Sequence, residues 1–139
     1  MTLSVVSQKK NAKKFIKESK FKKISISQIN KKIKKLKMIG RSELIKGDIT
    51  KTAEQYVKKN KGFKISLLNM DLDTYEGTKS ALKNFYPSIT KGGIILLDEY
   101  GKRGWGETDA VDEFLKQHPK LNVNTVKFSD QPTSYIKKI

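Results

Sequence analysis

Residues 65–101 read ISLLNMDLDTYEGTKSALKNFYPSITKGGIILLDEYG. The order is strand, turn, helix, turn, strand. An apolar run ends at Met70 and is followed by Asp71 and Asp73; a second, over 92–97, is followed by Asp98 and Glu99. Two parallel strands joined by a helix bring both carboxyl ends to one rim of a sheet, where open α/β folds bind ligands. The four acidic side chains are therefore expected to gather on that rim.

The neighbouring segments extend this pattern. The run 65–70 is apolar on both faces apart from Ser66 and Asn69, as in parallel strands covered on both sides. A helix is expected over 76–89, with Thr78, Ala81, Leu82, Phe85 and Ile89 on one face and Pro87 distorting its last turn. Gly92-Gly93 reads as the turn into the second strand. Upstream, 43–46 reads as a short strand, Gly47-Asp48 as a turn, and Thr50 as the cap of a helix reaching Asn60. Ser25 and Gln28 make a capping box for an amphipathic helix over 25–37. Residues 1–23 are weakly patterned; 9–20 can be helical, and fraying is expected there. Downstream, Thr108 can cap a helix to Gln117, with Asp109 and Asp112 in its first turn. Two final strands over 122–128 and 134–139 are close enough to form an antiparallel hairpin. Alternation of this kind predicts an α/β sheet with helices on both sides.

A chain of 139 residues has the size of one domain. It has no cysteine, which excludes disulfides and thiolate metal sites. No apolar run approaches the roughly 20 residues that span a bilayer, so no membrane partner is expected and a cytoplasmic location is the default. The net charge of +16 lies wholly in residues 1–64, which hold 20 basic and 4 acidic residues; residues 65–139 hold 10 of each. Of the 30 basic residues only Arg41 and Arg103 are arginine. Readers of phosphates and bases lean on arginine's planar fork, so the pattern argues for solvated lysine faces rather than nucleic acid as partner.

Three carboxylates around one point suit a hard cation such as Mg²⁺. A fourth can then act as general base on a hydroxyl. Asp71 and Asp73, two apart in extended chain, would point to the same side. The plainer reading stands beside this one: acids at strand ends often cap the next helix or face solvent. Asp48 can accept from a ligand or cap a helix. Tyr75, Tyr100 and Trp105 can line a pocket or pack. His118, the lone histidine, ends a helix before a proline and is a weak catalytic candidate.

GDITKT, MDLDTYEGTKSAL, FYP, KGGIILLDEYG and GETDAVDEF, in this order and spacing, resemble the macrocin O-methyltransferase family. These are S-adenosylmethionine- and Mg²⁺-dependent enzymes that methylate sugar hydroxyls. The resemblance covers 43–139, with weaker support from residue 20. It implies Asp71, Asp98 and Glu99 as metal ligands, Asp73 as general base, and Asp48 and Ile49 beside the adenine of the cofactor. Glu99 departs mildly from the aspartate often found at its position. The family's glycine-rich cofactor turn has no counterpart in 1–39, where there is no glycine and Glu18 is the only acid.

The expectation is a single domain, a partial Rossmann-like methyltransferase sheet. It should be mostly parallel, with a C-terminal antiparallel pair and flanking helices, and should lack the N-terminal cofactor-binding strand and turn. The expected partner is a small-molecule or glycan acceptor. An open sheet edge would invite a second copy or a complementing N-terminal chain. Two readings compete with catalysis: an inactive remnant, and a lysine-rich module holding nucleic acid or another anionic polymer.

Overall fold

The computed structural model describes residues 24–102 and 104–139. The helix considered over 9–20 and the fraying expected in 1–23 lie outside the described residues. Helix α1 (Ile26–Lys35) is followed by α2 (Ile49–Lys59), β1 (Ile65–Met70), α3 (Tyr75–Phe85), a 3₁₀ turn (Tyr86–Ser88) and β2 (Ile89–Leu97). Then come α4 (Glu107–Gln117), β3 (Val123–Thr125) and β4 (Ser134–Lys137). No described helix is long and apolar enough to cross a membrane.

The central unit is the expected one. β1 and β2 pair in parallel, with Leu68 opposite Ile95 and Met70 opposite Leu97. The ladder runs past the strand ends, because the Asp98 N–H donates to the Met70 carbonyl at 3.1 Å. Between the two strands α3 ends at Phe85, and Pro87 lies in the 3₁₀ turn that follows, as its ring requires. Gly92 and Gly93 lie inside β2, where the register slips between Ile65 and Leu67. A Cβ on Gly93 would meet the Thr90 carbonyl at 2.9 Å and the Ser66 carbonyl at 3.2 Å, so only glycine fits the contact.

The strand order is β1-β2-β4-β3. β4 pairs antiparallel to both β2 and β3. The sheet is therefore mixed rather than mostly parallel, with one parallel pairing against two antiparallel ones. The reason lies at 43–46. This segment forms no ladder, and Leu44 and Ile45 are 41% and 50% exposed. A strand needs a neighbour for its N–H and C=O groups, and β1 is the sheet edge among the described residues. The final hairpin forms but is shorter than expected, since Thr125 is the last residue of β3 and Phe128 is 94% exposed.

Among the described residues, the helices packed on the core cover one face of the sheet rather than two. Met70, Ile95, Leu97 and Ile136 are all buried and share a core with Ala81 and Leu82 of α3 and Val111 and Phe114 of α4. α2 packs on α3, and α3 on α4. The opposite face carries Leu67, Leu96 and Tyr135, which stay partly open.

Of the caps read from the sequence, the Ser25 box and the Asp48 alternative for α2 are found, and Thr50 and Thr108 do not cap. The Ser25–Gln28 capping box is present, with both reciprocal bonds. Asp48, not Thr50, caps α2: its Oδ1 accepts from the Thr50 N–H at 2.9 Å and the Thr50 hydroxyl at 2.8 Å. Gly106 occupies the cap position of α4, and the Thr108 hydroxyl accepts instead from the Gly101 N–H at 2.8 Å. At α2 the Asp48 carboxylate takes the place of the Thr50 hydroxyl, whereas α4 starts at a glycine with no side-chain cap.

Gly77 sits where α2, α3 and the turn after β1 meet. A Cβ there would lie 2.7 Å from Thr74 Oγ1 and 3.3 Å from Ile49 Cγ2. Gly77→Ala should destabilise the chain by about 1–3 kcal/mol through overpacking, despite alanine's better helix propensity. Thermal unfolding followed by circular dichroism checks this; an unchanged or higher melting temperature would contradict the close approach.

Candidate active site: an acidic rim at the carboxyl ends of the parallel strands

The parallel ladder sets Asp71, just past β1, beside Asp98, just past β2. The chain then turns sharply at Asp73. Its φ is +56°, in the left-handed region that non-glycine residues seldom occupy. The expectation that Asp71 and Asp73 extend to one side of a strand is thereby corrected. Asp71 is exposed and Asp73 half-buried, because the backbone is no longer extended at the second position. The Asp73 carbonyl accepts from the Gly106 N–H at 2.9 Å, which ties the turn to the start of α4.

The second acidic turn, Asp98 to Gly101, is clamped from two directions. From α4, Glu107 Oε1 accepts the Glu99 N–H at 3.0 Å and Thr108 takes the Gly101 N–H. From the segment before β4, the Thr133 hydroxyl donates to the Tyr100 carbonyl at 2.9 Å. Gln131 Nε2 donates to Glu99 Oε1 at 2.7 Å. Glu99 is consequently turned inward and only 8% exposed.

Burial is the first cause of every raised carboxyl pKa at the rim. Asp73 is raised by burial and then by the charges of Asp71 and Asp98. Asp98 is raised by burial and by Asp71, against the pull of Lys102. Glu99 is raised by burial and by Asp73, again with Lys102 opposing. Glu107, wholly buried, is pushed up to about 7, by burial first and then by Asp98, Glu99 and Asp73. Such mutual raising describes a site short of positive charge.

For a divalent cation the donor set is chemically suitable, being all carboxylate oxygen. Glu99 Oε2 and Glu107 Oε2 are buried without a hydrogen-bond partner, which also suits an added positive group. The arrangement is not a finished shell: among the described residues, no group of three or more His, Asp or Glu side chains is placed so as to hold a metal ion. Glu99 in particular is committed to Gln131.

The remaining candidates lie elsewhere. Asp48 is exposed at the start of α2, and Ile49 beside it is half-buried against Gly77. The Tyr75 hydroxyl donates to Glu113, and that of Tyr100 to Asp112 at 2.9 Å, so both serve packing of α4. His118 stacks on Phe114 at 4.2 Å with Nδ1 on the Phe114 carbonyl, away from the rim. Trp105 is half-buried in the loop before α4. Two residues escaped sequence reasoning, Glu107 and Gln131. An acid in a helix's first turn ordinarily faces solvent and favours the dipole, and nothing in GETDAVDEF marks the first one as buried.

The family model for macrocin O-methyltransferase matches residues 3–138. Demethyldecarbamoylnovobiocin O-methyltransferase of Streptomyces niveus is 40% identical over 50 residues, 36% of this chain and 19% of that one. The solved TDP-rhamnose 3'-O-methyltransferase of calicheamicin biosynthesis superposes with a TM-score of 0.62 at 31% identity. That match covers 70% of this chain and 41% of the other. The O-methyltransferase NovP superposes with a TM-score of 0.66, over 83% of this chain and 45% of its own; at 22% identity it speaks for the fold alone. The chain thus spans less than half the length of each of these three relatives.

The raised pKa of Glu107 makes stability depend on pH. Its folded value of about 7 exceeds the ordinary 4.5, so the folded state keeps a proton that the unfolded state has lost. Stability should be highest below about 4.5 and fall as pH rises towards about 7, as far as this group is concerned. Asp73, Asp98 and Glu99 act with the same sign. Urea unfolding between these limits should show the decline in the native chain and a flatter profile in Glu107→Gln; identical profiles would exclude the effect.

Proposed function

Since the chain belongs to the macrocin O-methyltransferase family, we propose that its acidic rim serves an S-adenosylmethionine-dependent O-methyl transfer to a sugar hydroxyl. The observation that carries this reading is Asp73. It is half-buried, held in a left-handed turn, and raised in pKa by burial and by Asp71 and Asp98. A carboxylate so raised is a stronger base than one in water. The sugar-related relative at 31% identity supports the acceptor class.

In this proposal Asp73 takes the proton from the acceptor hydroxyl as its oxygen attacks the methyl carbon of the sulfonium donor. The new C–O bond forms as the methyl–sulfur bond breaks, and the donor leaves as the neutral thioether. The left-handed turn keeps the Asp73 carboxyl group aimed while its carbonyl is bound by Gly106. Asp71, Asp98 and Glu99 are the residues proposed to hold Mg²⁺. When bound, the ion would polarise the hydroxyl and offset the surplus negative charge. Asp48 and Ile49, at the start of α2, are proposed to lie against the adenine end of the donor. Ile49 offers an apolar surface there and Asp48 an exposed acceptor.

Calorimetric titration with S-adenosylhomocysteine, with and without Mg²⁺, tests donor binding directly. Binding is expected; a folded sample that gives no heat under either condition would remove the donor from this reading. Asp73→Asn should lower methyl transfer to a sugar hydroxyl by about 100-fold or more, with S-adenosylhomocysteine affinity unchanged. Undiminished turnover would take the base role from Asp73.

A further inference from the structure

Glu107 is the one acidic side chain of the site that the proposed chemistry leaves unused. It is 0% exposed although it opens a helix. One oxygen accepts the Glu99 N–H at 3.0 Å, and the other is buried with no hydrogen-bond partner. A carboxyl group in such a place is costly, and nothing about forming α4 requires it: Gly106 occupies the cap position, and the side chain reaches back to the strand end instead.

That strand end decides where the rim carboxylates project. Asp98 and Glu99 are the two residues after β2; the Asp98 N–H is held by the Met70 carbonyl, and the Glu99 N–H by the Glu107 side chain alone among the bonds described. The other bonds to this turn act beyond it or on its carbonyls and side chain: Thr108 on the Gly101 N–H, the Thr133 hydroxyl on the carbonyls of Leu97 and Tyr100, the Thr133 N–H on the carbonyls of Leu97 and Asp98, the Lys102 N–H on the Glu99 carbonyl, and Gln131 on the Glu99 carboxylate. Without an acceptor at Glu107 the peptide joining Asp98 to Glu99 would keep only the 3.3 Å bond that the Asp98 carbonyl accepts from the Thr133 N–H, a donor it shares with the Leu97 carbonyl, and the carboxylates on either side of it would lose their fixed direction.

We propose that Glu107 is the positioning residue of the acidic rim: by holding the Glu99 N–H it fixes the direction of Asp98 and Glu99, and with it the rim's affinity for a divalent cation. The cation half of this inference rests on the proposed function; the backbone half does not. Glu107 acts through its acceptor oxygen, so a neutral amide with the same reach suffices. This separates it from a fourth direct ligand, whose charge would be indispensable.

The test uses the whole chain with Mn²⁺ alone as probe, in native, Glu107→Gln and Glu107→Ala forms, each checked for its fold by circular dichroism. Mn²⁺ affinity is read by electron paramagnetic resonance, and exchange of the Glu99 amide proton by NMR. Glu107→Ala should weaken Mn²⁺ binding by about 10-fold or more, as removal of an outer partner of a metal ligand does, and should speed exchange at Glu99. Glu107→Gln should restore both to near the native values. If Glu107→Gln loses as much affinity as Glu107→Ala, the carboxylate binds the ion itself and the positioning role is overturned. If Glu107→Ala folds and keeps both native affinity and native exchange, it is overturned too. Should the native chain hold no Mn²⁺, the metal part of the proposed function falls, and with it the affinity claim. Exchange at Glu99 then still decides whether Glu107 fixes the turn, and native exchange in folded Glu107→Ala would end the inference. Where Glu107→Ala does not fold, Glu107→Gln decides alone: native exchange and affinity support the proposal, and loss of either overturns it.

Discussion

The parallel pairing of β1 with β2 is the constraint on which the rest of this structure depends. Parallel strands need a crossover connection, and α3 with its 3₁₀ turn supplies it. The pairing register puts Met70 opposite Leu97, and the Asp98 N–H extends the ladder by one bond. Everything polar at the rim follows from that register. A slip of one residue would turn Leu68, Met70, Ile95 and Leu97 out of the core and carry the acids to the other face. The core between β2, β4, α3 and α4 therefore holds the site in register as well as holding the fold together.

The rim is also where this chain accepts unfavourable physics. Four carboxyl groups there are raised in pKa, with burial the leading cause in each. Asp73 occupies a left-handed backbone conformation, and two buried carboxylate oxygens have no partner. Each of these costs free energy, and none improves packing. Local costs of this kind persist when the surroundings over-determine them. Here the surroundings are Gly106 on the Asp73 carbonyl, Glu107 and Thr108 on the second turn, and Thr133 and Gln131 from the segment before β4. Among the described residues the charge of Lys102 opposes the rise at both Asp98 and Glu99.

The central strand–helix–strand unit was legible because its signals are local. Apolar runs, a helical period and a proline near the helix end act over a few residues each. The Ser25–Gln28 box was legible for the same reason. The segment 43–46 was not, because an apolar pair such as Leu44-Ile45 becomes a strand only if a neighbouring edge completes its hydrogen bonds. Coverage of the sheet misleads in the same way: 65–70 reads as apolar on both faces, yet among the described residues the packed helices lie over one face, and Leu67 on the other is 57% exposed. At the caps, composition names suitable oxygens at positions 48, 50 and 108 without ranking them. Geometry chose Asp48 over Thr50 and sent Thr108 to another partner.

By itself the sequence determined that acids follow two apolar strands, and that those strands lie parallel with a helix between them. It also carried the motif order on which the family match rests. Those are properties of spacing and residue type, which the chain carries before it folds. Only the tertiary structure decided which acids are buried, how Asp73 is turned, that Gln131 reaches Glu99, and that Glu107 belongs to the site. These depend on groups 8 to 32 residues apart meeting in space. Burial and the electrostatic environment of a carboxylate arise from those meetings, and no local pattern encodes them.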